Sequence, residues 1–391
     1  MEGTLQPSAL LPHPSRDHRP ATSSPKASEQ TPGRLRSLDV FRGLTIAAMV
    51  LVENSGSPSN TYAALRHAEW NGWTPTDLVF PFFLFIMGTA MALSLARRRD
   101  GDEAIELGRV LRRGVVLFGA GLLLNGFPWV IGGVRIMGVL QRIGITYVLA
   151  SLVVLRLPPR RQYLVGGAIL LGYWAAIALV PVPGVGAAAM TPAHSLPGWL
   201  DATLLGRSHL YGHGAYDPEG LLSTLPALVT VLLGYWSGEW LRRSGRGTRT
   251  ATRLLVAGAV LAAAGVAWGT VFPVNKRLWT SSFVLLTAGL AAVALALCFW
   301  AVDVVRWRRV GRPFEVMGLN AIFAYVASEI GGNLLSYSVH PGGASLRDLA
   351  YSQVIPWTTP AHAALAVAVG VLVWWWMVVY AMYRRRWFLK I

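Results

Sequence analysis

LWTSSFVLLTAGLAAVALALCFW, residues 278–300, runs for 23 positions without a charged side chain. As a helix it would rise about 35 Å, enough for the roughly 30 Å hydrocarbon core of a bilayer. Working outward from it, similar runs recur along the chain. The predicted spans are 37–54, 75–96, 111–129, 139–157, 163–181, 221–241, 252–272, 278–300, 313–336 and 360–383. Helices close their backbone hydrogen bonds internally, so they suit lipid. The composition agrees: 53% of residues are hydrophobic and 14% charged, against about 25% charged in a soluble domain. The expected fold class is therefore all-α, a polytopic integral membrane protein with about ten transmembrane helices.

Charge orients these spans. Of 35 Lys and Arg, 27 fall in 1–36, 97–113, 156–161, 242–253, 306–312 and 384–391. Six (Arg66, Arg135, Arg207, Lys276, Arg277, Arg347) fall in the alternate loops, and Arg42 and Arg142 lie within spans. Basic loops stay cytoplasmic, which predicts both termini in the cytoplasm. This clustering between apolar segments explains the net charge of +16 without nucleic acid as a partner. Residues 1–33 are rich in Pro, Ser and charge and read as a disordered cytoplasmic tail, leaving 34–391 as the membrane domain. The single cysteine, Cys298, excludes an internal disulfide.

Polar residues inside spans are costly and mark cavities or pairs. Asp39 and Arg42 lie three apart on the first span, sharing a helix face; Glu53 and Asn54 end it. Gln141 and Arg142 open the fourth span, and Glu315, Asn320 and Glu329 lie in the ninth. RHAEWNGWTPTD, residues 66–77, sets His67 on a loop leading into a helix start. Thr74 or Thr76 can cap that helix, and Asp77 suits its first turn. A neutral imidazole near a carboxylate is a candidate general base near pH 7. His209 and His213 are four apart but flanked by Gly212 and Gly214, which reads as a loop, so no metal site is expected.

These stretches resemble the heparan-alpha-glucosaminide N-acetyltransferase family. The resemblance is carried by RLRSLDVFRGLTIAAMVLVEN at 34–54, RHAEWNGWTPTDLVFPFFLFIMG at 66–88 and RIMGVLQRIGITY at 135–147. YDPEGLLSTLPAL at 216–228, NKRLWTSSFVL at 275–285 and GLNAIFAYV at 318–326 extend it. It implies a transmembrane acyltransferase domain over 34–391 that moves an acetyl group from cytosolic acetyl-CoA to the amine of a periplasmic glucosamine-type sugar. Its implied catalytic residues are His67, Asn54 and Asp77. Asp39, Arg42, Asn71, Arg142, Asp217, Lys276 and Asn320 are implied substrate or co-substrate contacts. Acetyl-CoA is the acyl donor, and no metal is expected.

The implied setting is a bacterial cytoplasmic (inner) membrane, with this chain as the ten-helix core of a homologue without the lumenal domain of lysosomal members. Expected partners are acetyl-CoA, an amino-sugar or glycan acceptor, membrane lipids and, as an option, a second copy in a homodimer. His67 would act as base or nucleophile, Asp77 would orient it, and Asn54, Asn71 or Asn320 would face the oxyanion. Arg36, Arg112, Arg156 and Arg312 would meet the CoA phosphates. The competing readings are an O-acyltransferase of an envelope glycan or lipid, a small-solute or sugar transporter, and a non-catalytic membrane component.

Overall fold

The computed structural model describes residues 35–95, 103–127, 133–338 and 343–389. The expected disordered tail at 1–33 lies outside these residues. The described residues form helices and loops; β pairing among them is limited to isolated bridges at Gly72–Asn275 and Met190–Ser195.

Thirteen α-helices follow in order among the described residues. They are α1 (Arg36–Glu53), α2 (Val79–Leu95), α3 (Glu103–Asn125), α4 (Val139–Arg156), α5 (Pro159–Leu179), α6 (Leu196–Leu205) and α7 (Thr224–Arg243). Then come α8 (Thr248–Gly269), α9 (Ser281–Phe299), α10 (Arg308–Leu319), α11 (Ala321–Ser336), α12 (Leu346–Val354) and α13 (Pro360–Arg384). Six of the described helical segments are long and apolar enough to cross a membrane. These are Pro75–Leu95, Val139–Arg156, Pro159–Leu179, Thr248–Gly269, Ser281–Val304 and Pro360–Arg384. The protein is thus an all-α polytopic membrane protein. Helices also occupy the remaining predicted segments, but these carry more charge: Asp39, Arg42 and Glu53 in α1, and Glu239, Arg242 and Arg243 in α7.

The predicted single span at 313–336 is instead two helices. Asn320 leaves helical geometry at φ −117°, ψ 36°. Its side chain is bonded to the C-terminal segment, donating to Trp387 O at 3.0 Å and accepting from Leu389 N at 3.1 Å. Those two bonds tie the break between α10 and α11 to the backbone of the C-terminal segment.

Small residues bring helix backbones together. A Cβ at Gly88 would collide with the Val231 carbonyl, and one at Gly234 with Phe85, so α2 and α7 touch backbone to backbone. Gly258, Gly265 and Gly289 do the same between α8 and α9, as do Gly43 and Gly318 between α1 and α10. Such contacts suit membranes, where packing must replace the hydrophobic drive between helices. Outward faces of α5, α8 and α13 expose Leu164, Leu171, Val260, Val373 and Trp374, surfaces that lipid solvates at no cost.

Candidate functional site

Beyond α1 the chain passes through short 3-10 turns to His67 and then into α2. Thr74 starts the 3-10 turn Pro75–Leu78 that leads into α2. Asp77, buried in that turn, uses both oxygens. Oδ2 accepts from Ala68 N at 3.0 Å, Thr74 N at 3.0 Å and Thr74 Oγ1 at 3.2 Å. Oδ1 lies 2.7 Å from His67 Nδ1. A loop that would otherwise wander is tied to a helix start, and the imidazole is tied with it.

A second loop closes over the first. Gly72 donates its N–H to Val274 O at 2.8 Å, from a φ of +95° that only glycine adopts freely. Asn275 Nδ2 donates to Asn71 Oδ1 at 3.1 Å, while its own Oδ1 accepts from Leu278 N at 2.9 Å. This places Lys276 Nζ 2.9 Å from His67 Nδ1 and 3.4 Å from Asp77 Oδ1. Trp279, just beyond, is fully buried at a φ of +52°, a conformation that L side chains rarely accept.

Nδ1 can hold one hydrogen. With ionised Asp77 only 2.7 Å away, that hydrogen belongs on Nδ1 and points at the carboxylate, because two acceptors would otherwise repel. Lys276 then approaches as the counter-charge of Asp77 rather than as a donor to the ring. Nε2 is left with its lone pair, on the side of Glu53, whose Oε1 is 3.8 Å away. Burial pulls the His67 imidazole down, but the carboxylates of Asp77 and Glu53, which favour its charged form, outweigh this and hold it above its ordinary value. Burial lowers the Lys276 ammonium, against the opposing pull of Asp77, Glu219 and Glu53.

The YDPEG loop stands beside this cluster. Arg135 Nε donates to Asp217 Oδ2 at 2.8 Å and its Nη2 to Asp217 Oδ1 at 2.6 Å, a bidentate pair, and Nη2 also bonds Glu219. The guanidinium lies over the Tyr211 ring at 4.9 Å. Burial works against the Arg135 charge, yet its carboxylate partners raise its proton affinity overall. Burial raises the Glu219 carboxyl, but Arg135 and Arg142 more than reverse it. The loop is joined to the His67 loop by Trp70, which packs edge-on to Tyr216 at 5.1 Å and donates to Met190 O at 2.7 Å. Arg142 is fully buried over Trp279 at 5.0 Å. It donates from Nη2 to Gly220 O at 3.2 Å and to Ser223 Oγ.

The expected site residues therefore separate into groups. His67, Asp77, Asn71 and Lys276 come together through the two loops, with Asp217 and Arg142 in the adjoining layer. Asn54 ends α1 and turns back on it, donating to Val50 O at 2.9 Å. Asp39, Arg42 and Asn320 are not brought to His67. Arg42 bonds Asp39 at 3.2 Å and Gly318 O at 3.4 Å, and Gly318 immediately precedes the Leu319–Asn320 break. Asp39 and Glu53 are about 21 Å apart along α1, at 1.5 Å per residue. Glu53, Arg135 and Glu219 join the site although they were not among the expected site residues. Each lies inside or at the edge of a quoted motif, which was the available signal. Among the described residues no three His, Cys, Asp or Glu side chains gather as a metal ion would need.

Fold and cluster together define a polytopic membrane protein with a histidine, an aspartate and a lysine interlocked where two interhelical loops meet. Residues 34–266 match the family profile described as "Heparan-alpha-glucosaminide N-acetyltransferase, catalytic", and the chain belongs to that family. It is 32% identical to the Homo sapiens protein named heparan-alpha-glucosaminide N-acetyltransferase, over 78% of this chain and 54% of that one. It is 31% identical to the Mus musculus protein of the same name, over 81% of this chain and 57% of that one. The chain thus spans about half the length of the curated relatives it matches. These relatives are human and mouse, and they lend no support to the expected bacterial origin and inner-membrane location.

Proposed function

We propose that the chain is a transmembrane acetyltransferase that carries an acetyl group from acetyl-CoA on one face to the amine of an amino sugar on the other. The observation that carries this reading is the 2.7 Å contact between Asp77 Oδ1 and His67 Nδ1: an ionised carboxylate there draws the ring hydrogen to Nδ1, so the Nε2 lone pair is presented on the side of Glu53. That is the requirement for a general base or an acyl carrier.

In direct transfer, the amine nitrogen bonds to the thioester carbon and its proton passes to Nε2. The C–S bond breaks, and the CoA thiolate takes a proton to leave as the thiol. In the two-step form, Nε2 itself bonds to the acetyl carbon, CoA leaves, and the amine then displaces the imidazole. Either way positive charge builds on His67, where Asp77 stabilises it. Asn71, exposed beside the cluster, is the candidate donor to the developing oxyanion. Asn320 is a poor candidate for that role, since both ends of its amide are bonded to the C-terminal segment.

The ten-span reading, with basic connections and both termini in the cytoplasm, puts His67 at the far face and acetyl-CoA at the basic one. Arg36, Arg112, Arg156 and Arg312 are exposed and would meet its phosphates. Asp39 and Arg42 would line the way between. Sealed vesicles of known orientation test this. Labelled acetyl-CoA on the basic-loop side must yield N-acetylated sugar on the other side, and acceptor uptake without acetylation would instead indicate a transporter.

A further inference from the structure

A cavity of about 270 Å³ opens between α3, α4 and α11. Its wall is polar: Asn125, Gln141, Tyr325, Glu329 and Asn333 all face it, and no Lys or Arg is among its described lining residues. Gln141 is 1% exposed, yet its Nε2 has no hydrogen-bond partner among the described residues. A buried amide donor is rarely left unmade in a folded protein, so this one awaits an acceptor. Glu329 forms no ion pair or side-chain hydrogen bond among the described residues, although it sits within the helical layer. A carboxylate there without a cation is costly.

One wall residue of the cavity is hydrogen-bonded to the segment that carries Arg135. Asn125 donates to the backbone carbonyls of Arg135 at 2.8 Å and Met137 at 3.1 Å, and Arg135 in turn holds Asp217 and Glu219. Glu53 Oε1 lies 3.8 Å from His67 Nε2.

We propose that this cavity is a subsite for one sugar ring bearing a protonated amine, with Glu329 recognising the ammonium and the Gln141 amide donating to a ring hydroxyl. The inference rests on the amino-sugar acceptor reading above and deepens it. A lone carboxylate facing a polar space without basic neighbours selects a cation. Unpaired amides select hydroxyls. The volume lies just below the usual range of ligand sites, about 300–1,000 Å³, and so admits a single ring. Glu329 is then the residue that distinguishes an amino sugar from its neutral or already acetylated counterpart. An acceptor lacking the charge would leave the carboxylate desolvated and unpaired, which is how a polar site rejects an analogue.

The test is calorimetric titration of the full chain in detergent with glucosamine and with N-acetylglucosamine, in the absence of acetyl-CoA. Glucosamine should bind, and N-acetylglucosamine should bind at least about tenfold more weakly, the scale of one lost charge-assisted hydrogen bond. Glu329→Gln, equal in shape, should weaken glucosamine by a similar factor. Asn333→Leu, a change at the exposed cavity rim, should also weaken it and serves if the first variant melts early. Equal binding of the two sugars, absence of glucosamine binding, or unchanged affinity in both variants overturns the subsite. Because no acyl transfer is measured, a failed transferase reading with intact, Glu329-dependent glucosamine binding would be told apart from a failed subsite.

Discussion

Replacing Asp77 by asparagine changes one atom and should silence His67. The outcome is dictated by the donors around the carboxylate. Oδ2 accepts from Ala68 N, Thr74 N and Thr74 Oγ1, so only the carbonyl oxygen of an asparagine fits there. Its NH2 group is forced into the position of Oδ1, facing His67 Nδ1. A donor there requires Nδ1 to be the acceptor, which moves the ring hydrogen to Nε2 and abolishes the lone pair the reaction needs.

Loss of the charge-assisted bond alone is worth about 1.5–3 kcal/mol, or one to two decades in rate. Loss of a correctly held general base costs about 10²–10⁴-fold, and the same swap in a hydrolytic triad costs about 10⁴. The expected loss in kcat/KM for Asp77→Asn is thus about 10²–10⁴-fold, or roughly 3–5 kcal/mol of barrier. The assay is steady-state acetyl transfer to an amino sugar in proteoliposomes, followed across pH. In the parent, the reactive form of His67 is neutral and its folded pKa is raised. The rate should therefore climb with pH through a value above the ordinary histidine pKa of about 6.5. In Asp77→Asn the residual rate should climb through a lower value. A loss under about threefold, or an unmoved inflexion, would refute the assigned tautomer.

Other expectations follow from the same contacts. Lys276→Met removes a positive charge 2.9 Å from Nδ1 that depresses the imidazole, so the pH–rate inflexion should move up, opposite to Asp77→Asn. Arg135→Ala leaves Asp217 and Glu219 buried without their cation. Breaking such a pair costs about 3–5 kcal/mol, read as an earlier thermal unfolding in detergent, with Arg135→Lys recovering only part of it. Asn320→Ala should lose about 1–3 kcal/mol of stability, the net worth of its two hydrogen bonds to Trp387 O and Leu389 N, while the pH–rate inflexion stays where it is. The proton gained by His67 on folding also stabilises the protein. That contribution is fully present below about pH 6.5 and disappears as pH rises through the higher folded value, so hydrogen-exchange protection of the 66–77 loop should fall over that window.

The helices were legible because apolar runs are one-dimensional. The helix start at Pro159, for example, lies four residues before the predicted 163, and α13 ends one residue beyond the predicted 383. The His67–Asp77 contact was legible for a local reason, since cap chemistry within twelve residues fixes it. What joins segments far apart in the chain was not. Lys276 reaches His67 across 209 positions, and Arg135 reaches Asp217 across 82. Nothing in the charge of either residue names its partner. Asn320 shows the opposite difficulty. A polar residue inside an apolar run can line a site or break a helix, and the two look alike until its hydrogen bonds are seen. Glu53 was visible as the charged end of α1, but its approach to Nε2 depends on the path of the whole 54–67 loop.

The most direct test is acetyl transfer by His67→Ala beside the parent, in vesicles loaded with an amino sugar and supplied with labelled acetyl-CoA. The account predicts that the parent makes N-acetylated sugar and that the variant, folded and with an unchanged melting profile, is slower by about 10²-fold or more. A variant that transfers as fast as the parent would contradict the assignment of the chemistry to His67.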